Sequence, residues 1–129
     1  FEFFESTWDR LYVSSNGYIS FGRGSVGDSA QPWGLFHVPI IAGIRGDLAM
    51  GSDGRIVVDE GLDRLTVSFV DVPVVAGGET ASFQITLFST GDFLIFFDRV
   101  PSGAAELITG VSNGCDLPDG YPPETDFIP

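Results

Sequence analysis

Eighteen carboxylates, one imidazole and one thiol are the side chains of this 129-residue chain with obvious chemical potential. His37 stands between Phe36 and Val38 with Pro39 next, a setting for packing rather than proton transfer. One His and one Cys cannot make a transition-metal ligand set. No Ser occupies a Gly-x-Ser-x-Gly turn between a strand and a helix. Acid pairs for glycoside hydrolysis are always available among 18 carboxylates, and no spacing selects one. The chain reads as non-enzymatic.

Three further groups could bind rather than react. Asp47, Asp53 and Asp59, with Glu60 beside the last, cluster around one turn, and hard oxygen ligands on loops suit Ca²⁺. The spacing is not that of an EF-hand loop, and turn geometry already explains Asp53 before Gly54. A structural turn is the first reading and no cofactor is expected, with a Ca²⁺ site as the alternative. Trp8 and Trp33, joined by Tyr12, Tyr18 and Tyr121, could form a sugar-stacking platform, or else sit at the edge of the core. Arg45-Gly46-Asp47 is similar to the integrin-binding adhesion tripeptide. It lies between an apolar run and Leu48, close to or within a strand, where coincidence is the better explanation.

The formal net charge is −12, and all six basic residues are Arg. Such a surface repels phosphate backbones, which argues against nucleic acid and anionic membrane as partners. No apolar run approaches the roughly 20 residues of a membrane-spanning helix, so membrane insertion is not expected. Cys115 is the only cysteine, which excludes an internal disulfide and reads as a free thiol. Neither Asn has Ser or Thr two positions on, so N-glycosylation is not expected. The chain begins at Phe1 without Met, which reads as a processed product or part of a longer chain.

The elements that must position these groups are strands. Leu11–Gly22 places two apolar, alternating runs around Asn16-Gly17 and predicts a hairpin closed by a two-residue type I′ turn. Val38–Ile44 is a short apolar run with Pro39 among the first residues of a strand. Asp53-Gly54 predicts a second hairpin, with Arg55–Asp59 as its outgoing strand. Leu65, Val67 and Phe69 alternate with polar residues, as do Phe83, Ile85 and Leu87. Phe93–Phe97 is apolar at every position and predicts a central strand covered on both faces. Leu107–Ser112 is the last strand, ended by Asn113-Gly114. The result is an all-β fold, an antiparallel β-sandwich with short hairpins over residues 1–114. Residues 115–129, with Pro118, Pro122, Pro123 and Pro129, read as an extended Pro-rich tail or linker.

The run Leu11-Tyr-Val-Ser-Ser-Asn-Gly-Tyr-Ile-Ser-Phe-Gly22 resembles the opening of nidogen-like (NIDO-type) extracellular domains and their bacterial relatives. Val38–Ala42, Gly46-Asp47-Leu48, Asp53–Ile56, Asp71-Val72-Pro73, Ser82–Leu87 and Leu107–Gly114 follow in the family's order. The family often carries aromatic and paired acidic residues where this chain has Gly43-Ile44-Arg45-Gly46-Asp47. The resemblance implies a module located outside the cell or on its surface, serving adhesion or structure rather than catalysis.

The two ends add a reading of their own. Phe1, Phe3 and Phe4 at one end, and Phe127 and Ile128 at the other, are large apolar groups. They are the expected interchain contacts, by addition of an extended arm to a sheet edge. A head-to-tail contact of that kind builds filaments. Partners would be copies of the chain, other extracellular proteins, or glycans; glycan- or calcium-dependent binding at a cell surface is the alternative function.

Overall fold

The computed structural model describes residues 1–24, 35–51, 53–102 and 106–114. Among the described residues, ten strands form three antiparallel sheets. β1 (Glu2–Phe3) and β2 (Ser6–Thr7) make a small hairpin. β3 (Leu11–Ser14), β4 (Tyr18–Phe21), β5 (Pro39–Arg45) and β10 (Ile108–Asn113) form the first large sheet, in the order β10-β5-β4-β3. β6 (Arg55–Glu60), β7 (Arg64–Pro73), β8 (Thr80–Phe88) and β9 (Phe93–Arg99) form the second, a meander in chain order. The two faces close into the expected sandwich. The tail predicted for 115–129 lies outside the described residues.

Alternation decides which side chains meet between the sheets. Ile19, Phe21 and Ile41 face Val67, Phe69, Phe83, Ile85 and Leu87, all buried. Phe69 and Phe83 stack with centroids 4.4 Å apart and planes 9° apart. Gly43 makes room for this pair, since a Cβ there would run into the Phe83 ring. Burying each such aromatic stabilises the fold by roughly 1.5–3 kcal/mol. Tyr18, Ile40 and Ala42 point the other way from β4 and β5, into a second buried cluster with Leu35 and Val38.

Three local expectations need correction. The β3–β4 loop is Ser15-Asn16-Gly17, because Ser14 pairs with Tyr18 and Gly17 N–H donates to the Ser14 carbonyl at 3.2 Å. Only Gly17 has positive φ (83°), so this is a three-residue turn with a left-handed glycine rather than type I′. Asp53-Gly54 does not close a hairpin: β5 and β6 belong to different sheets, and the chain crosses between them. Phe93–Phe97 is not central: β9 is the last strand of its sheet, with no strand beyond it among the described residues.

Candidate interaction surface

The N-terminal residues fold onto their own domain. The Phe1 ammonium donates to the Trp8 carbonyl at 2.9 Å, and Trp8 N–H returns a bond to Phe1 at 2.8 Å. Trp8 Nε1 donates to the Phe3 carbonyl at 3.3 Å. Phe3 is 6% exposed, with ring centroids 4.9 Å from Phe21, 6.1 Å from Phe1 and 6.2 Å from Phe93. Of the three N-terminal aromatics expected to reach another chain, Phe3 is therefore buried and Phe1 is packed against the core. Phe4 alone stands out, 51% exposed at the tip of the β1–β2 turn. Phe127 and Ile128 lie outside the described residues.

Beyond Phe3, whose ring meets Phe93, the surface that opens to solvent is β9. Opposite partners across β8 share a face, so Phe93, Ile95 and Phe97 lie with Leu87, Ile85 and Phe83 on the core side. Leu94 and Phe96 lie with Thr86 and Gln84 on the outer side, 55% and 56% exposed. On that outer side Gln84 Nε2 donates to Ser68 Oγ at 2.9 Å, and the Thr66 and Thr86 hydroxyls meet at 3.2 Å. The four-strand outer face is thus polar at its centre and apolar along its β9 margin.

Among the described residues no strand pairs with the far side of β9. Phe88 N–H donates to the Asp92 carbonyl at 2.9 Å, closing a hydrogen-bonded pair at the hairpin end. Alternation along an antiparallel ladder then turns the N–H and C=O groups of Phe93, Ile95 and Phe97 away from β8. The other sheet margins are guarded in recognisable ways. β3 has four residues, β10 pairs through a register shift, and β6 carries Arg55, Asp59 and Glu60. β9 keeps five uninterrupted apolar residues until a register shift makes Asp98 the extra residue.

Acidic groups bracket this edge. Asp92 and Asp98 are exposed at its two ends, and Glu2 lies against Gly91. Arg99 is the base nearest in sequence, and it is held by Asp71 at 2.8 Å. Asp71 sits in a bulge of β7 with φ 50°, its N–H bonded to Ser82 Oγ at 2.9 Å. Sequence reasoning missed Leu94, Phe96, Asp92 and Asp98 as surface groups. The run is apolar throughout with an Asp on each side, a pattern that does not separate a covered strand from an exposed one.

The remaining candidates separate. Trp8 lines a cleft of about 520 Å³ between the N-terminal segment and the β6–β7 turn, with Asp9, Glu60, Asp63 and Arg64 at its rim. Trp33 lies outside the described residues. Asp47, Asp53 and Asp59 are not gathered: among the described residues no three His, Cys, Asp or Glu side chains are placed to hold a metal ion. Arg45 is 2% exposed, its guanidinium carbon 5.1 Å from the Tyr18 ring centroid, so Arg45-Gly46-Asp47 is no displayed loop. Comparison with protein-family models, with curated proteins and with solved structures found no match to this chain.

Proposed function

We propose that the chain is a non-enzymatic structural or adhesion module, nidogen-like in its order of strands, that works outside the cell by protein–protein contact. The observation that carries this reading is the open edge of β9. A seven-residue margin combines exposed Leu94 and Phe96 with the backbone groups of Phe93, Ile95 and Phe97 turned away from β8. Large exposed apolar groups beside unpaired main chain are the features that β-strand addition uses. The sandwich behind it is a rigid mount, and exposed Phe4 is a further contact for assembly.

The test compares the full chain with a Leu94→Lys/Phe96→Lys double variant. Sedimentation velocity over a range of concentrations reads self-association, and retention on matrix-coated and cell-coated surfaces reads adhesion. The native chain should self-associate or be retained, and the variant should lose that behaviour while its circular dichroism melt is unchanged. A native chain that does neither, or a variant that behaves identically, defeats the reading. Glycan binding is the second reading, supported by Trp8 in its rimmed cleft. A glycan array without hits removes it.

A further inference from the structure

We infer that the β9 edge accepts an extended, apolar strand flanked by basic residues from a partner protein, rather than a second copy of this chain. This deepens the reading of β9 as a contact edge and rests on it. Five apolar residues from Phe93 to Phe97 are bounded by Asp92 on one side and Asp98 on the other, both exposed. An incoming antiparallel strand of seven residues would set its first and last side chains against these two carboxylates. Lys or Arg at both places matches the charge, and alternate residues between them extend the core side of the sheet.

The same two carboxylates count against a second copy. Laid antiparallel with all five apolar residues overlapping, two β9 strands bring Asp92 against Asp98 at both ends. Sliding the pair by two residues in either direction sets an Asp opposite Leu94 or Phe96. Each copy also carries −12 in net charge. Like charges directly opposite on a ladder are destabilising, and flanking charge is how natural edges avoid their own kind. A cationic partner is instead drawn in by the acidic field.

The hydrogen bonds are specified too. Phe93, Ile95 and Phe97 would exchange main-chain bonds with the second, fourth and sixth residues of the incoming strand. The third and fifth residues would lie beside Leu94 and Phe96 with their own backbone groups turned away.

A labelled synthetic heptapeptide, Arg-Val-Thr-Val-Thr-Val-Arg, tests this on the full chain by fluorescence anisotropy. At low salt it should bind at least about tenfold tighter than the same peptide with Glu at both ends, and high salt should narrow the gap. N-methylation of the three Val amides should abolish binding, while N-methylation of the two Thr amides should leave it within about threefold. The Asp92→Lys/Asp98→Lys variant should reverse the preference and favour the Glu-flanked peptide. Equal binding of both peptides, or indifference to Val methylation, overturns the inference. A chain that ignores the peptides yet self-associates through Leu94 and Phe96 overturns it while leaving the contact-module reading standing. A chain that does neither and is not retained on the coated surfaces removes both.

Discussion

The Leu48 amide donates to Asn16 Oδ1 at 3.3 Å across 32 residues of chain. Asn16 also accepts from Gly46 N–H through its carbonyl at 3.3 Å, and Gly17 accepts from Gly43 N–H at 3.1 Å. The β3–β4 turn is therefore a brace on the stretch where β5 leaves its sheet and crosses to the other. That stretch then meets the end of β7 through the Leu48–Val74 bridge. Gly17 has φ 83°, and a Cβ there would run into the Ile44 carbonyl. Gly17→Ala should lower stability by about 2–4 kcal/mol, since left-handed strain adds to a main-chain clash. Asn16→Ala should cost about 1 kcal/mol, the worth of one side-chain bond. Urea unfolding at constant m-value measures both, and a Gly17→Ala midpoint equal to that of the native chain would refute the brace.

Arg45 makes the opposite kind of prediction. Its side chain is buried, and its Nε and Nη1 have no hydrogen-bond partner among the described residues. Burial pushes the guanidinium pKa down, and the Tyr18 ring offsets this only in part. An arginine stays protonated throughout the range in which proteins fold, so the penalty is constant with pH. Arg45→Met should therefore raise stability by about 1–3 kcal/mol, equally at mildly acidic and neutral pH. Tyr18→Leu removes the ring face and leaves the cation more exposed to apolar neighbours, so it should destabilise. Thermal melts at two pH values decide between these; a destabilised Arg45→Met chain would mean that the guanidinium stabilises the fold.

The alternating strands were legible because one face of each is polar. Leu65, Val67 and Phe69 against Thr66 and Ser68 leave a single way to orient β7. Phe93–Phe97 was not legible, because an all-apolar run reads alike whether two neighbours cover it or solvent does. Here the core side is half-covered and Leu94 and Phe96 on the outer side are exposed, which only the strand order reveals. Asn16-Gly17 located a turn correctly but not its length, since one flanking residue, Ser15, shifts the pairing from two loop residues to three. Asp53-Gly54 marked a bend, yet a dipeptide carries no information about which sheet the next strand joins. For the candidate surface, Phe4 was named from sequence, while Leu94 and Phe96 were hidden by the same all-apolar run.

The Asp71 bulge offers a graded test of strain against polar bonding. Asp71 Oδ1 accepts from Arg99 Nη1 at 2.8 Å and from Ser82 Oγ at 3.3 Å, on a backbone with φ 50°. Asn tolerates the left-handed region and keeps an acceptor, so Asp71→Asn should cost less than about 1 kcal/mol, as for an exposed ion pair. Asp71→Ala keeps the strain and loses both bonds, and should cost about 1–3 kcal/mol. Denaturant midpoints for the two variants should rank in that order. An Ala variant as stable as the Asn variant would mean that the bulge, rather than its side chain, determines the local structure.

The N-terminal hairpin separates stability from surface most sharply. Phe3 pairs with Ser6 across a two-residue turn in which Phe4 and Glu5 both have positive φ, 47° and 59°. That is type I′ geometry, which favours Asn followed by Gly and strains other side chains by about 1–2 kcal/mol per residue. Phe3→Ala, next to the turn, should cost about 2–4 kcal/mol, because its ring fills the space between Phe1, Phe21 and Phe93. Phe4→Asn/Glu5→Gly should instead stabilise the chain by about 1 kcal/mol or more while removing an exposed ring. If Phe4 is part of the contact surface, this stabilised variant should also bind or associate more weakly than the native chain. Melting temperature and retention on the coated surfaces measured on the same samples would show stability rising as retention falls; both falling together would mean that the hairpin turn is not strained as described.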